Sequence, residues 1–459
     1  MATFPRKYSL EPVEVPRVRT RHRRIVTPLP APGSLPVLER LERFEPASMQ
    51  GQPPVVIHRA KGWYVEDGWG NRWLDWSTGV LIANAGNGNP AIVAALRQTL
   101  RRPLLSTYVF PHADRADLVE ELAALAPKRG AYRVFLLSTG SEATENCIKL
   151  AKTWGLERHG PERRVFVSFA NGFHGRTMGA QLAGGMDGAK RWIGRLDDSF
   201  VQVPFPDGYK NPDTRFELFL ETLAAKGVRP EQVCGVMAES YQGVGPDFLP
   251  VEYAQRLEEW CRKHDVVLIM DEVQAGFCRT GEWFAFQHYG ITPDLIACGK
   301  GISSSLPLSA VIGRADIMGL YPPGSMTSTH SGSPLPVAAA LANVQELRRG
   351  PYLANARAMG PVLNEGLLAI QRRHPAQAGC VQARGLVAGI QIVKPGTREP
   401  DGATALRINL ACFHKGLLMF APVGVAGECI KIAPPLDTSR DALQEGLAVL
   451  GEAMDEVLS

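Results

Sequence analysis

Short, largely apolar runs separated by turn-rich loops mark the middle of the chain. Val165-Phe-Val-Ser-Phe169, Val266-Val-Leu-Ile-Met270 and Leu295-Ile-Ala-Cys298 are such runs. Bounded by turn signals, they read as strands buried on both faces, as in a parallel α/β sheet. The period then changes. Thr139-Gly-Ser-Glu142 has the spacing of a capping box, and Ala143, Cys147, Leu150, Ala151 and Trp154 recur on one helical face after it, so a helix is predicted to start there. Nearer the N-terminus, Gly62-Trp-Tyr-Val-Glu-Asp-Gly-Trp-Gly-Asn-Arg-Trp-Leu-Asp75 holds two β-rich runs around Asp-Gly and Gly-Asn, the signature of a hairpin or meander. A helix follows near Pro90. A long helical stretch begins at about Val337, and strand-like segments lie at Gly385-Leu-Val-Ala-Gly-Ile-Gln-Ile-Val393 and Ile430-Lys-Ile-Ala-Pro-Pro-Leu436.

Chemistry enters where the apolar runs stop. Asp271 and Lys300 each close a hydrophobic strand, and ligands of parallel α/β sheets sit at the strands' carboxyl ends. One group is anionic and the other cationic. A lysine amine can condense with an aldehyde cofactor as a Schiff base, while a carboxylate at a pyridine nitrogen keeps that nitrogen protonated so that the ring accepts electrons. Taken singly, a strand-terminal Asp is as well explained as a helix cap, and Gly299-Lys-Gly301 as a solvated turn. Two neighbouring features favour a binding site. The free N–H groups at the helix start, with the Gly140 and Ser141 amides, form a phosphate cradle that needs no basic side chain. In the loop Gly172-Phe-His-Gly-Arg-Thr177 an aromatic can stack on a planar ring, and Arg176 offers a fork for an acid group.

The segments Ser138-Thr-Gly-Ser-Glu-Ala-Thr-Glu-Asn146, Gly172-Phe-His-Gly-Arg-Thr177, Asp271-Glu-Val-Gln274, Gly299-Lys-Gly301 and Thr329-His-Ser-Gly-Ser-Pro334 together resemble the ordered motif set of class III pyridoxal-phosphate aminotransferases, over a span from about Pro46 to the C-terminus. The resemblance implies fold type I: a large α/β domain with a mostly parallel, seven-stranded-type sheet, and a small α+β domain. The corresponding division is an arm at 1–45, small-domain segments at 46–100 and 346–459, and a cofactor-binding domain at 101–345. It implies Lys300 and Asp271 as catalytic residues. Pyridoxal 5'-phosphate would be held by Gly140, Ser141, Phe173, His174, Glu239, Asp271, Val273, Gln274, Lys300 and Thr329. Val80, Arg176 and Lys431 would face the substrate. Thr329 would reach the phosphate of a neighbouring subunit, which implies a homodimer, or a dimer of dimers, with shared active sites.

Several positions depart from the family pattern. Ser240 replaces a proline after Glu239, and Val244 stands where many ornithine- and aminobutyrate-type members carry a gating glutamate. Asn87 and Asn89 occupy a region that usually holds a histidine, and Gly332-Ser-Pro334 replaces Gly-Asn-Pro. Lys431 stands where the family usually has arginine; a point charge cannot grip a carboxylate in two parallel hydrogen bonds. These departures suggest a substrate other than an ordinary α-amino acid, or an acid group held elsewhere, for instance by Arg176. The expected reaction moves an amino group from an amine or ω-amino acid to an oxo acid such as pyruvate or 2-oxoglutarate. The same chemistry has another outlet in a lyase acting on an amino-phosphonate or phosphorylated amine, and a smaller one in a racemase. A binding protein that had lost its chemistry would be expected to lack Lys300 or Asp271, and both are present.

The totals narrow the setting. With 459 residues, 45% of them hydrophobic, the chain can bury two cores, and a net charge of +4 makes no case for nucleic acid as a partner. Eight scattered cysteines without a C-x-x-C pair suggest neither zinc nor another metal site, and fit a reduced cytoplasm. No apolar run approaches the ~18 residues of a membrane span. The start is basic: Arg17, Arg19, Arg21, Arg23 and Arg24 precede Pro28, Pro30, Pro32 and Pro36. It reads as an irregular arm lying across a partner subunit, with a targeting segment or polyanion contact as the rival.

Overall fold

A computed structural model describes residues 8–102, 104–128, 130–245 and 247–459. Residues 1–7 of the expected arm and Pro246 of the 236–246 segment lie outside the described residues. The chain divides into two compact units, one made of 90–350 and the other of both chain ends, 1–89 and 351–459.

In the 90–350 unit the apolar runs form a seven-stranded sheet. Its strands are β1 (Tyr132–Leu137), β2 (Val165–Phe169), β3 (Phe200–Val203), β4 (Val233–Glu239), β5 (Val267–Asp271), β6 (Leu295–Cys298) and β7 (Ser309–Arg314), in spatial order β1-β7-β6-β5-β4-β2-β3. β7 runs antiparallel to β1 and β6, and the remaining pairs are parallel. Every residue of β2, β4, β5 and β6 is buried. That is why these strands read as continuous apolar runs and not as alternations. Register brings their carboxyl ends level: Asp271 on β5 pairs with Glu239 on β4 and with Ala297 on β6. Helix α1 (Gly140–His159) starts after β1 with its capping box complete, and buries Ala143, Cys147, Leu150, Ala151 and Trp154, the face expected from their spacing. Helix α2 (Pro334–Arg349) buries Val337, Ala340, Asn343, Val344 and Leu347.

In the 1–89 and 351–459 unit the two expected β-rich runs are Tyr64–Asp67 and Arg72–Asp75, paired antiparallel, and a third strand outside the expected range, Ile57–Lys61, pairs antiparallel with Tyr64–Asp67. A three-stranded antiparallel sheet carries Ala378–Arg384, Val387–Ile392 and Cys429–Ile432. The arm differs from the irregular segment expected. Val18–Arg19 and Arg24–Ile25 form a small antiparallel ladder, Arg24 pairs with Arg72, and Leu35–Phe44 is a helix. Three basic side chains at the tip of this ladder meet helix α3 (Arg440–Leu458): Arg21 pairs with Asp441 at 2.8 Å, Arg23 with Glu445 at 2.6 Å, and buried His22 bridges the Tyr64 hydroxyl and Asp441. Part of the basic run is therefore consumed inside its own unit. No helix among the described residues is long and apolar enough to cross a membrane.

Candidate active site

A cavity of about 240 Å³ opens at the carboxyl ends of β4 and β5. It is lined by Thr139, Gly140, Ser141, Phe173, His174, Gly175, Glu239, Asp271, Val273, Gln274 and Lys300. Segments more than a hundred residues apart meet here because the parallel strands all end on one side.

Each wall has a local cause. At the α1 start, the Glu142 carboxylate accepts the Ser138 and Thr139 amides at 2.6 and 3.2 Å, and the Thr139 hydroxyl accepts the Glu142 amide at 3.3 Å. The Thr139 carbonyl in turn accepts the Ser309 hydroxyl at 2.6 Å. This fixes a helix end whose remaining N–H groups and dipole suit an anion. Val273 packs so closely on Gly140 that a Cβ there would stand 2.8 Å from its Cγ1.

Opposite, the loop after β2 is tied down by its backbone. The Phe173 amide donates to Glu239 Oε2 at 3.0 Å, the Thr144 hydroxyl to the His174 carbonyl at 2.7 Å, and Gly175 takes φ +136° with no room for a side chain beside Ser141. The second Glu239 oxygen accepts the Gly243 amide at 2.7 Å.

The floor is ionic. Asp271 Oδ2 lies 2.8 Å from His174 Nδ1, and Asp271 Oδ1 accepts the Val273 amide at 3.0 Å; both side chains are buried. Burial works against charge on His174, but the hydrogen bond to Asp271, the charge of Asp271 and that of Glu239 outweigh it and hold the imidazole above its ordinary value. Burial pushes Glu239 above the usual carboxylate range, with the charge of His174 pulling the other way. Lys300 is lowered, again chiefly by burial, with Asp271 and Glu239 opposing. Such an amine releases its proton more readily than a surface lysine, as a nucleophile or base requires. Behind this floor, Glu272 is also buried. It accepts the Ser240 hydroxyl and the Ala285 and Phe286 amides, and burial raises it to about 7. Ser240, at the position of the family's proline, thus has a partner of its own.

Of the residues expected at the site, Gly140, Ser141, Phe173, His174, Glu239, Asp271, Val273, Gln274 and Lys300 line this one cavity. Arg176 is exposed in the same unit, its guanidinium 5.5 Å from the Phe173 ring centre. Thr329 is exposed and is not part of the lining. Val80 and Lys431 belong to the other unit, Val80 at φ +65° and Lys431 buried in the strand Cys429–Ile432. Thr139, expected only as a helix cap, and Gly175 also line the cavity, and both sit inside the motifs read from the sequence.

Residues 47–454 match the sequence model of the family described as aminotransferase class III. The chain is 32% identical over 446 residues to the 4-aminobutyrate aminotransferase of Mycobacterium leprae, covering 95% of this chain and 98% of that one. Among solved structures it superposes on a Bacillus anthracis aminotransferase with a TM-score of 0.83 at 28% identity, covering 92% of this chain and 98% of that one. An amine transaminase from an uncultivated Pseudomonas species, solved in its PLP-bound form, gives a TM-score of 0.81 at 29% identity, covering 88% and 95%.

Proposed function

Because the chain belongs to the class III aminotransferases, which use pyridoxal phosphate, we propose that it carries an amino group from an ω-amino acid or related amine to an oxo acid, with Lys300 and Asp271 as its catalytic pair. The observation that carries this reading is their convergence in one buried cavity with a helix N-terminus on its wall. The lining suits the cofactor: N–H donors at Gly140 and Ser141 for the phosphate, the Asp271 carboxylate for the ring nitrogen, Phe173 and Val273 for the ring faces, and the Lys300 amine for the aldehyde. When bound, pyridoxal phosphate supplies a carbonyl that condenses with amines and a ring that spreads negative charge.

The chain's own residues do the rest. Asp271, oriented by His174 and the Val273 amide, keeps a negative charge facing the ring nitrogen. Glu239 braces the aromatic loop through the Phe173 amide. Lys300 Nζ, depressed by burial, would take the proton from the substrate carbon that bears nitrogen and deliver it to the carbon on the other side of that nitrogen. Arg176, beside Phe173, is assigned the distal acid group of the amine donor.

We also propose a homodimer that shares its sites. Leu100, Leu105 and Phe110 are 59%, 62% and 73% exposed, an apolar stretch that a second copy would cover. The same segment anchors the 327–332 loop, with Tyr108 and Thr327 hydroxyls 3.1 Å apart and His112 Nε2 2.7 Å from the Gly332 carbonyl. A covered segment would thus carry Thr329 to the interface. Eight free thiols support a reducing, cytoplasmic setting.

The relatives are aminotransferases, which does not favour elimination. The test is a panel of ω-amino acids, diamines and amino-phosphonates added without oxo acid while cofactor absorbance and free ammonia are followed. The expected result is a single stoichiometric conversion, no accumulating ammonia, and recovery on adding pyruvate or 2-oxoglutarate. Ammonia or phosphate released over many turnovers would overturn it in favour of a lyase.

A further inference from the structure

Lys300 sits in a backbone conformation that its own residue type disfavours. Its φ is +44°, in the left-handed region that a side chain with a Cβ rarely adopts. It opens a short turn, Lys300–Ile302, in which the Ile302 amide donates to the Gly299 carbonyl at 3.0 Å. Such a conformation persists only where the surroundings hold it. The hold comes from a helix far along the chain. Asn343 Nδ2 donates to the Gly301 carbonyl at 2.8 Å and to the Ile302 carbonyl at 2.9 Å.

The placement of that amide is telling. Asn343 is fully buried on the inner face of α2, among Val337, Ala340, Val344 and Leu347. Its Oδ1 is buried without a hydrogen-bond partner among the described residues. A leucine here would remove the unpartnered buried Oδ1 but would take the donor away from the Gly301 and Ile302 carbonyls, so packing alone does not account for the amide. The side chain's two donors are what the site uses, and both go to the turn that aims Lys300 into the cavity.

We infer that Asn343 is a positioning residue for Lys300: its amide clamps the left-handed turn and so fixes where the Lys300 amine stands relative to Asp271 and Glu239. This rests on Lys300 being the cofactor-bearing amine. Without the clamp the turn relaxes toward right-handed backbone, and the amine swings away from the buried carboxylates.

The test is Asn343→Leu in the full-length protein. Two readouts are needed. In the cofactor-free protein, pH-dependent acetylation of the Lys300 amine, read by mass spectrometry, should show its midpoint rising by about one pH unit toward the ordinary lysine value of about 10.4. In the loaded enzyme, kcat should fall by about 10²-fold, the cost of a misplaced reacting group, with KM for the amine little changed. A folded variant with the wild-type midpoint and wild-type kcat overturns the inference. Should Asn343→Leu fail to fold, Asn343→Asp decides: a carboxyl buried against carbonyls stays protonated at low pH and can then donate one of the two bonds. Its kcat relative to wild type should climb as pH falls, and a ratio independent of pH would contradict the clamp. Wild-type protein in which borohydride fixes the cofactor elsewhere than Lys300 would instead indict the functional reading on which the inference stands.

Discussion

His174 Nδ1 and Asp271 Oδ2 stand 2.8 Å apart, both buried, with the Val273 amide on the other carboxylate oxygen. The imidazole therefore orients the carboxylate and shares its charge in a place where water cannot. His174→Ala leaves a buried carboxylate with one donor, a change expected to cost roughly 3 kcal/mol of stability in the cofactor-free protein. Urea unfolding checks it. Since the His174 value is raised in the folded state, its contribution is complete below the unfolded value of about 6.5 and disappears as pH rises through the higher folded value. The gap between wild type and variant should narrow from pH 6 toward pH 9.

Glu272 gives a second pH signature. Burial raises it to about 7, well above an unfolded value of about 4.3. The folded protein then holds a proton that the unfolded chain has lost, so stability declines as pH rises through this window. Glu272→Gln cannot titrate. It loses stability at pH 5, because its amide faces the Ala285 or Phe286 N–H, but its melting temperature should fall less than wild type between pH 5 and 8. Parallel curves for the two proteins would mean that Glu272 carries no such proton.

On the proposed assignment, Arg176 would separate donors by their far end. Arg176→Leu removes a charged hydrogen-bonding fork worth about 1.5–3 kcal/mol, so kcat/KM for an ω-amino acid donor should fall by about 10- to 100-fold. Activity on an uncharged primary amine should change little. Equal losses on both donors would place the acid group elsewhere.

The N-terminal ladder should act on stability alone. His22 bridges the Tyr64 hydroxyl and Asp441 at 2.6 and 2.9 Å; His22→Ala leaves Asp441 with Arg21 and Ser439 but removes the buried imidazole and its bond to Tyr64, at about 1 kcal/mol. Denaturant unfolding should show this while cofactor affinity is unchanged.

How far the sequence carries depends on the distance over which each cause acts. The β5 and β6 runs and the Thr139–Glu142 capping box are local, and their strands and helix lie where periodicity places them. Asp271 and Lys300 were legible because each ends an apolar strand. His174 was found through the family motif alone, since its role depends on a carboxylate 97 positions away. The arm's ladder was not legible because Arg21, His22 and Arg23 find their partners in a helix some 420 residues later, and no local rule announces that. Asn343 did leave a trace, as a lone polar residue in an alanine-rich helix face, but its partners at Gly301 and Ile302 appear only in three dimensions.

Lys300 is the amine proposed to engage the cofactor, and one measurement reaches it directly. The purified protein is reduced with borohydride in the presence of pyridoxal phosphate, digested, and its pyridoxyl-bearing peptide sequenced by mass spectrometry, alongside Lys300→Ala. The expected result is stoichiometric label at Lys300 in wild type, none in the variant, and loss of transamination with it. Label on another lysine, or a Lys300→Ala protein of undiminished activity, would contradict it.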